Sequence, residues 1–182
     1  RYGSANMLFA GDSAQLVYSN TGDYVSELKE LAGYKPFRVY NLTTNYRSTT
    51  EITEFSKKVC DMESEDIKCV RNGDVPEIIK CGNDITVGIN SYIKKCTETG
   101  YQSLAVLCLT QSEADSLKTE LDFDHGKMNV SVLPVYMAKG LEFDCVAVIN
   151  RNGRISEYDS KNGSKVLYTA CTRAMHNLVV FD

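Results

Sequence analysis

The chain has 182 residues, 43% of them hydrophobic, which is enough for one well-buried domain and too little for two comfortable ones. A formal charge of −4 and a pI near 5.3 argue against a protein that coats nucleic acid through general positive charge, leaving only a local basic contact. No run approaches the roughly 18 apolar residues of a membrane span and no signal-peptide pattern opens the chain, so a soluble, cytoplasmic protein without a membrane partner is expected. Seven cysteines without a C-x-x-C pair, several of them in apolar runs, fit reduced, buried thiols better than a disulfide framework. His125 and His176 are the only histidines, and neither has a second plausible ligand nearby, so no structural metal is expected.

The chain opens on Arg1 without an initiator methionine and reaches an apolar run almost at once, which predicts a piece of something larger. A strand over 6–10 runs into Gly11-Asp12-Ser13-Ala14-Gln15, and a helix over 24–32 follows, apolar at Tyr24, Leu28 and Leu31. A strand over 37–42 precedes Asn45-Tyr46-Arg47-Ser48, and a helix over 50–62 repeats apolar residues at Ile52, Phe55, Val59 and Met62. Then come a strand over 77–80, a helix over 85–97, a strand over 104–109, a helix over 112–121 and a strand over 130–133. Residues 134–144 run directly into a strand over 145–149, placing Lys139, Gly140 and Glu142 at a strand end, where open α/β sheets collect ligands. A last helix over 164–175 carries Val166, Leu167, Ala170, Cys171 and Met175 on one face, and a strand over 177–181 ends the pattern. Short apolar strands alternating with helices predict a doubly wound, mainly parallel sheet with helices on both faces.

Four short motifs stand out against that frame. After the first strand, Gln15 offers both a donor and an acceptor and can touch a terminal phosphate and its attacking water together, although an ordinary turn capped by Asp12 explains the segment equally well. In the second, Tyr46 presents a flat face for a base and Arg47 a planar fork for phosphate oxygens, while Ser48 or Thr49 caps the next helix. In the third, Gly140 allows close backbone approach, Glu142 can accept from a ribose hydroxyl, and Tyr136 can stack on a base, or each can belong to a solvated loop and the core. Arg173, near the end of the last helix, either neutralises a transferring phosphoryl group or complements the helix dipole.

Gly-Asp-x-x-Gln with Tyr18, Asn-Tyr-Arg-Ser, Ala-Lys-Gly-Leu-Glu-Phe-Asp and Leu-Tyr-Thr-Ala-Cys-Thr-Arg-Ala together resemble the third to sixth motifs of superfamily 1 DNA helicases of the UvrD/Rep/PcrA type. The resemblance implies a single second RecA-like domain over 1–182, with residues 1–20 as the tail of the preceding motor domain's last motif. It implies ATP as ligand, with Gln15, Arg47 and Arg173 at the γ-phosphate, Tyr46 on adenine, and Gly140 and Glu142 at the nucleotide. Tyr18, Tyr136 and Lys139 would face single-stranded DNA, and a first RecA-like domain would be the partner. Pro134-Val135-Tyr136 stands where the unwinding enzymes usually have Thr-x-His, and the stretch 48–133 is too short for their large inserted subdomain. Both departures resemble the HelD-like branch, which implies remodelling of RNA polymerase as an alternative to unwinding, and a stand-alone nucleic-acid-binding module remains a third reading. No G-x-x-x-x-G-K-[ST] and no strand ending in Asp-Glu occurs, so the phosphate loop and the Mg²⁺ ligands are expected on another domain and this chain alone is expected to be inactive.

Overall fold

The computed structural model describes residues 7–12, 15, 24–33, 36–59, 67–82, 84–121, 128–153 and 163–182. Five strands, β3 (Glu77–Ile79), β4 (Ser103–Cys108), β5 (Asn129–Pro134), β6 (Phe143–Ile149) and β7 (Ala174–Phe181), form one parallel sheet in the order β3-β7-β6-β4-β5. A separate two-stranded parallel sheet joins β1 (Thr44–Asn45) to β2 (Lys68–Cys69), and the helix α1 (Tyr24–Ala32) precedes it in the chain.

The near-continuous apolar strands arise because both faces of the large sheet are covered. Leu104, Val106 and Cys108 of β4, Cys145, Ala147 and Ile149 of β6, and Val179 and Phe181 of β7 pack under α3 (Ile85–Thr99) and α4 (Gln111–Glu120). The alternate residues, Ala105, Leu107, Val146, Val148, Leu178 and Val180, meet α2 (Thr50–Val59) and α5 (Gly163–Cys171) on the other face. A register shift between Phe143 and Cys145 puts Phe143 into the α2/α5 core rather than under α3. The doubly wound RecA-like α/β fold read from the sequence is therefore the one observed.

Local chemistry sets the helix ends. Thr49 caps α2 by accepting from the Ile52 amide at 3.3 Å, and Lys57 and Lys58 lie in its last turn. Asp84 caps α3, which stops at Gly100, whose φ of 91° lets its N–H reach the Cys96 and Thr97 carbonyls.

Three expectations need correction. Residues 7–10 form no strand and Met7, Leu8 and Phe9 are exposed, while Asn6 lies outside the described residues. The 37–42 run is likewise unpaired, with Leu42 92% exposed; strand pairing begins just after it, at Thr44–Asn45. An apolar run becomes a strand only when a neighbouring edge takes its backbone groups, and among the described residues none does so here. The last helix ends at Cys171 rather than at Met175, because Ala174 pairs with Phe143 and the chain is already extended there.

The crossover from β5 to β6 is unusually short for parallel strands. A 3₁₀ helix, Val135–Ala138, buries Val135 and Ala138 on the α2/α5 face, and residues 139–142 then reach the amino end of β6. The lysine, glycine and glutamate thus stand at an amino end, opposite the carboxyl ends where such sheets usually hold ligands.

None of the described cysteines, Cys69, Cys81, Cys96, Cys108, Cys145 and Cys171, is in a disulfide, and no described helix is long and apolar enough to cross a membrane. Burial pushes the Cys108 thiol up to about 12 from an ordinary 9.0, and burial likewise raises Tyr92. At pH 10 the unfolded chain has released protons that the folded chain still holds, so stability falls as pH rises above about 9. Urea titrations at pH 8 and pH 10.5 should give a clearly lower midpoint at the higher pH; equal midpoints would contradict this.

Candidate nucleotide site at the amino ends of the sheet

Asn45 shapes the turn before α2. Its Oδ1 accepts from the backbone N–H of Arg47 at 2.9 Å and of Ser48 at 3.2 Å, and its Nδ2 donates to Thr53 Oγ1 at 3.0 Å, tying the turn to the helix. This geometry leaves Tyr46 73% exposed. The buried Ser48 hydroxyl donates to the Ala174 carbonyl at 2.8 Å, which pins the turn against the start of β7.

Arg173 occupies the bend between α5 and β7 and is only 1% exposed. Its Nε donates to the Thr169 carbonyl at 3.0 Å, so the helix-terminus role read from the sequence is realised. The two Nη groups donate to the Leu141 carbonyl at 3.3 Å and to Gln15 Oε1 at 2.8 Å. Gln15 in turn donates to Asp12 Oδ2 at 2.7 Å. Arg47 pairs with Glu142, and its Nε is buried without a hydrogen-bond partner among the described residues.

Burial first, and the nearby Arg47 guanidinium second, pull Arg173 below the ordinary arginine value, while the Glu142 and Asp12 carboxylates oppose the shift. Arginine remains protonated regardless. Two guanidinium groups and two carboxylates thus meet here, with the Arg47 Nε buried and unpartnered among the described residues.

Gln15, Arg47, Glu142 and Arg173, scattered through the sequence, are therefore brought together at the amino ends of β6 and β7. Tyr46 stands beside Arg47 on the same turn. Gly140 has a φ of 87°, a left-handed conformation that by itself calls for glycine. Tyr136, on the 3₁₀ helix, and Lys139 are exposed. Tyr18 lies outside the described residues. Sequence reasoning missed Arg71, whose guanidinium donates to the Arg47 carbonyl across 24 residues of chain, and no local signal marks it.

At the carboxyl ends, Thr110 caps α4. Glu113 N–H donates to Thr110 Oγ1, and the Glu113 carboxylate accepts from the Leu109 N–H, each at 3.2 Å. No cluster of three or more His, Cys, Asp or Glu suited to a metal occurs among the described residues.

Residues 129–181 match the UvrD-like helicase C-terminal domain. The matched segment holds β5, β6, α5 and β7, and with them Glu142 and Arg173. The fold is similar to the crystal structure of the C-terminal domain of a possible DNA helicase from Lactobacillus plantarum WCFS1, with a TM-score of 0.58 and 27% identity over 75% of this chain and 86% of that one. No curated protein matches the chain.

Proposed function

We propose that the chain is the second RecA-like lobe, 1–182, of an ATP-driven DNA helicase or translocase. The likeness to helicase C-terminal domains supports a helicase-type motor domain. The observation that carries the finer reading is the convergence of Gln15 and the two guanidinium groups, with Arg173 buried and bonded to Gln15.

In this reading a first RecA-like lobe brings the phosphate loop and the Mg²⁺ ligands, and ATP lies between the lobes. The open ring of Tyr46 stacks on adenine, and Glu142 leaves Arg47 to accept from the ribose. Arg47 and Arg173 meet the γ-phosphate, and the spare N–H of the Gln15 amide reaches the phosphate or the attacking water. Gly140 lets the backbone come close to the nucleotide. Residues 1–20 belong to the first lobe's last motif, and the exposed Met7, Leu8 and Phe9 support a contact with that lobe. Tyr18, Tyr136 and Lys139 face single-stranded DNA. Described cysteines outside any disulfide support a reducing, cytoplasmic setting.

The test is ATP hydrolysis by the chain joined to a phosphate-loop lobe. Arg47→Ala is expected to remove turnover while the thermal midpoint stays put; wild-type turnover would end the assignment.

A HelD-like role, remodelling RNA polymerase without unwinding, is favoured by one observation. Between α2 and β5 the described residues form only β2, β3, α3, β4 and α4, with no additional subdomain among them. Strand displacement on a forked duplex, set beside polymerase pull-down, separates the two readings.

A further inference from the structure

The turn bearing Tyr46 and Arg47 is held from the side by residues 70–73, a stretch that belongs to none of the four motifs. Val70 N–H donates to the Asn45 carbonyl at 3.2 Å, and the Arg71 carbonyl accepts from the Thr50 N–H at 2.9 Å and the Thr50 hydroxyl at 3.1 Å. Gly73 N–H donates to the Glu51 carboxylate at 2.7 Å, and a Cβ at Gly73 would lie 2.7 Å from Thr49 Cγ2, so the strap sits flush on the helix cap. Over this strap the Arg71 guanidinium donates to the backbone carbonyl of Arg47, and its Nε is buried with no hydrogen-bond partner among the described residues.

Capping α2 does not need this arginine, because Thr49 already does so. What the contact fixes is the carbonyl in the middle of the turn, between the tyrosine ring and the helix. We propose that Arg71 is a positioning residue that locks the 45–48 turn and sets where the Tyr46 ring and the Arg47 guanidinium stand. Its consequence for hydrolysis rests on the function proposed above. Its consequence for the turn does not.

A lost hydrogen bond from a charged donor corresponds to about 10- to 100-fold in a local opening equilibrium. Hydrogen exchange of the full chain should therefore show the Arg47 and Ser48 amides of Arg71→Ala exchanging faster by about that factor, with β6 amides unchanged. Arg71→Lys, which keeps a charged donor, should restore most of the protection. In the chain joined to a phosphate-loop lobe, Arg71→Ala should raise KM for ATP about tenfold, whereas a mere loss of folded protein lowers kcat alone.

Unchanged exchange at Arg47 and Ser48, faster exchange across the whole sheet, or failure of lysine to restore protection would overturn the assignment. If exchange responds as expected but Arg47→Ala and Arg71→Ala both leave turnover untouched, the positioning role stands and the proposed function falls.

Discussion

Arg173→Ala is expected to slow ATP hydrolysis by about 10³–10⁵-fold when the chain is joined to a phosphate-loop lobe, the range typical for an arginine that neutralises a transferring phosphoryl group. The side chain is buried and divides its donors among Thr169, Leu141, Gln15 and the Thr172 hydroxyl, so the helix end, the crossover and the N-terminal motif meet on one guanidinium. Alanine removes all four hydrogen bonds and leaves the Thr169 and Leu141 carbonyls without that donor. Some loss of folding stability therefore accompanies the loss of rate. Arg173→Lys separates the two effects: it keeps the charge but cannot reproduce the planar fork. Single-turnover hydrolysis should remain strongly impaired in the lysine variant while its urea midpoint lies above that of the alanine variant. Full turnover in both variants would remove Arg173 from the site.

The largest effect on stability is expected from Phe181→Ala, about 3–5 kcal/mol. Against a typical domain stability of about 5–15 kcal/mol, this is enough to leave the variant marginal. Phe181 is 0% exposed at the carboxyl end of β7, pairs in register with Ile79 and Ile149, and meets Tyr92 edge-on at 6.4 Å and 80°. Gly88 of α3 leaves room for the ring: a Cβ there would lie 3.0 Å from Phe181 Cε1. Removing the ring leaves a void between α3 and two strands that the rigid sheet closes poorly. The urea midpoint should drop with little change in slope. Arg173 lies at the other end of β7, roughly 25 Å away at strand rise, so KM for ATP should not move in the fraction that remains folded. A loss below about 1 kcal/mol would show that the site repacks.

The sheet was legible because its strands are short, uninterrupted apolar runs, and a strand buried on both faces has no other way to be written. Each of its five strands was read within a few residues of its place. The misplaced segments share a cause. Apolar character marked 6–10 and 37–42 as strands, yet whether a backbone pairs depends on an edge that no local pattern encodes. Arg173 was read as the end of a helix because Ala174 and Met175 continue the apolar periodicity, and only the pairing of Ala174 with Phe143 draws them into β7. Residue types at the site were readable as motifs. Their mutual contacts were not: the Ser48 to Ala174 hydrogen bond spans 126 residues, and the Arg71 clamp joins segments with no shared pattern. Long-range contacts of this kind follow from topology, and a single sequence does not state topology.

The central claim is that this chain supplies half of a nucleotide site through side chains gathered at the amino ends of β6 and β7. The most direct measurement is ATP turnover by a phosphate-loop lobe with this chain attached, with the Arg47→Ala chain attached, and with no chain attached. The expected result is hydrolysis only with the intact chain and background rates in the other two. Equal turnover in all three would contradict it.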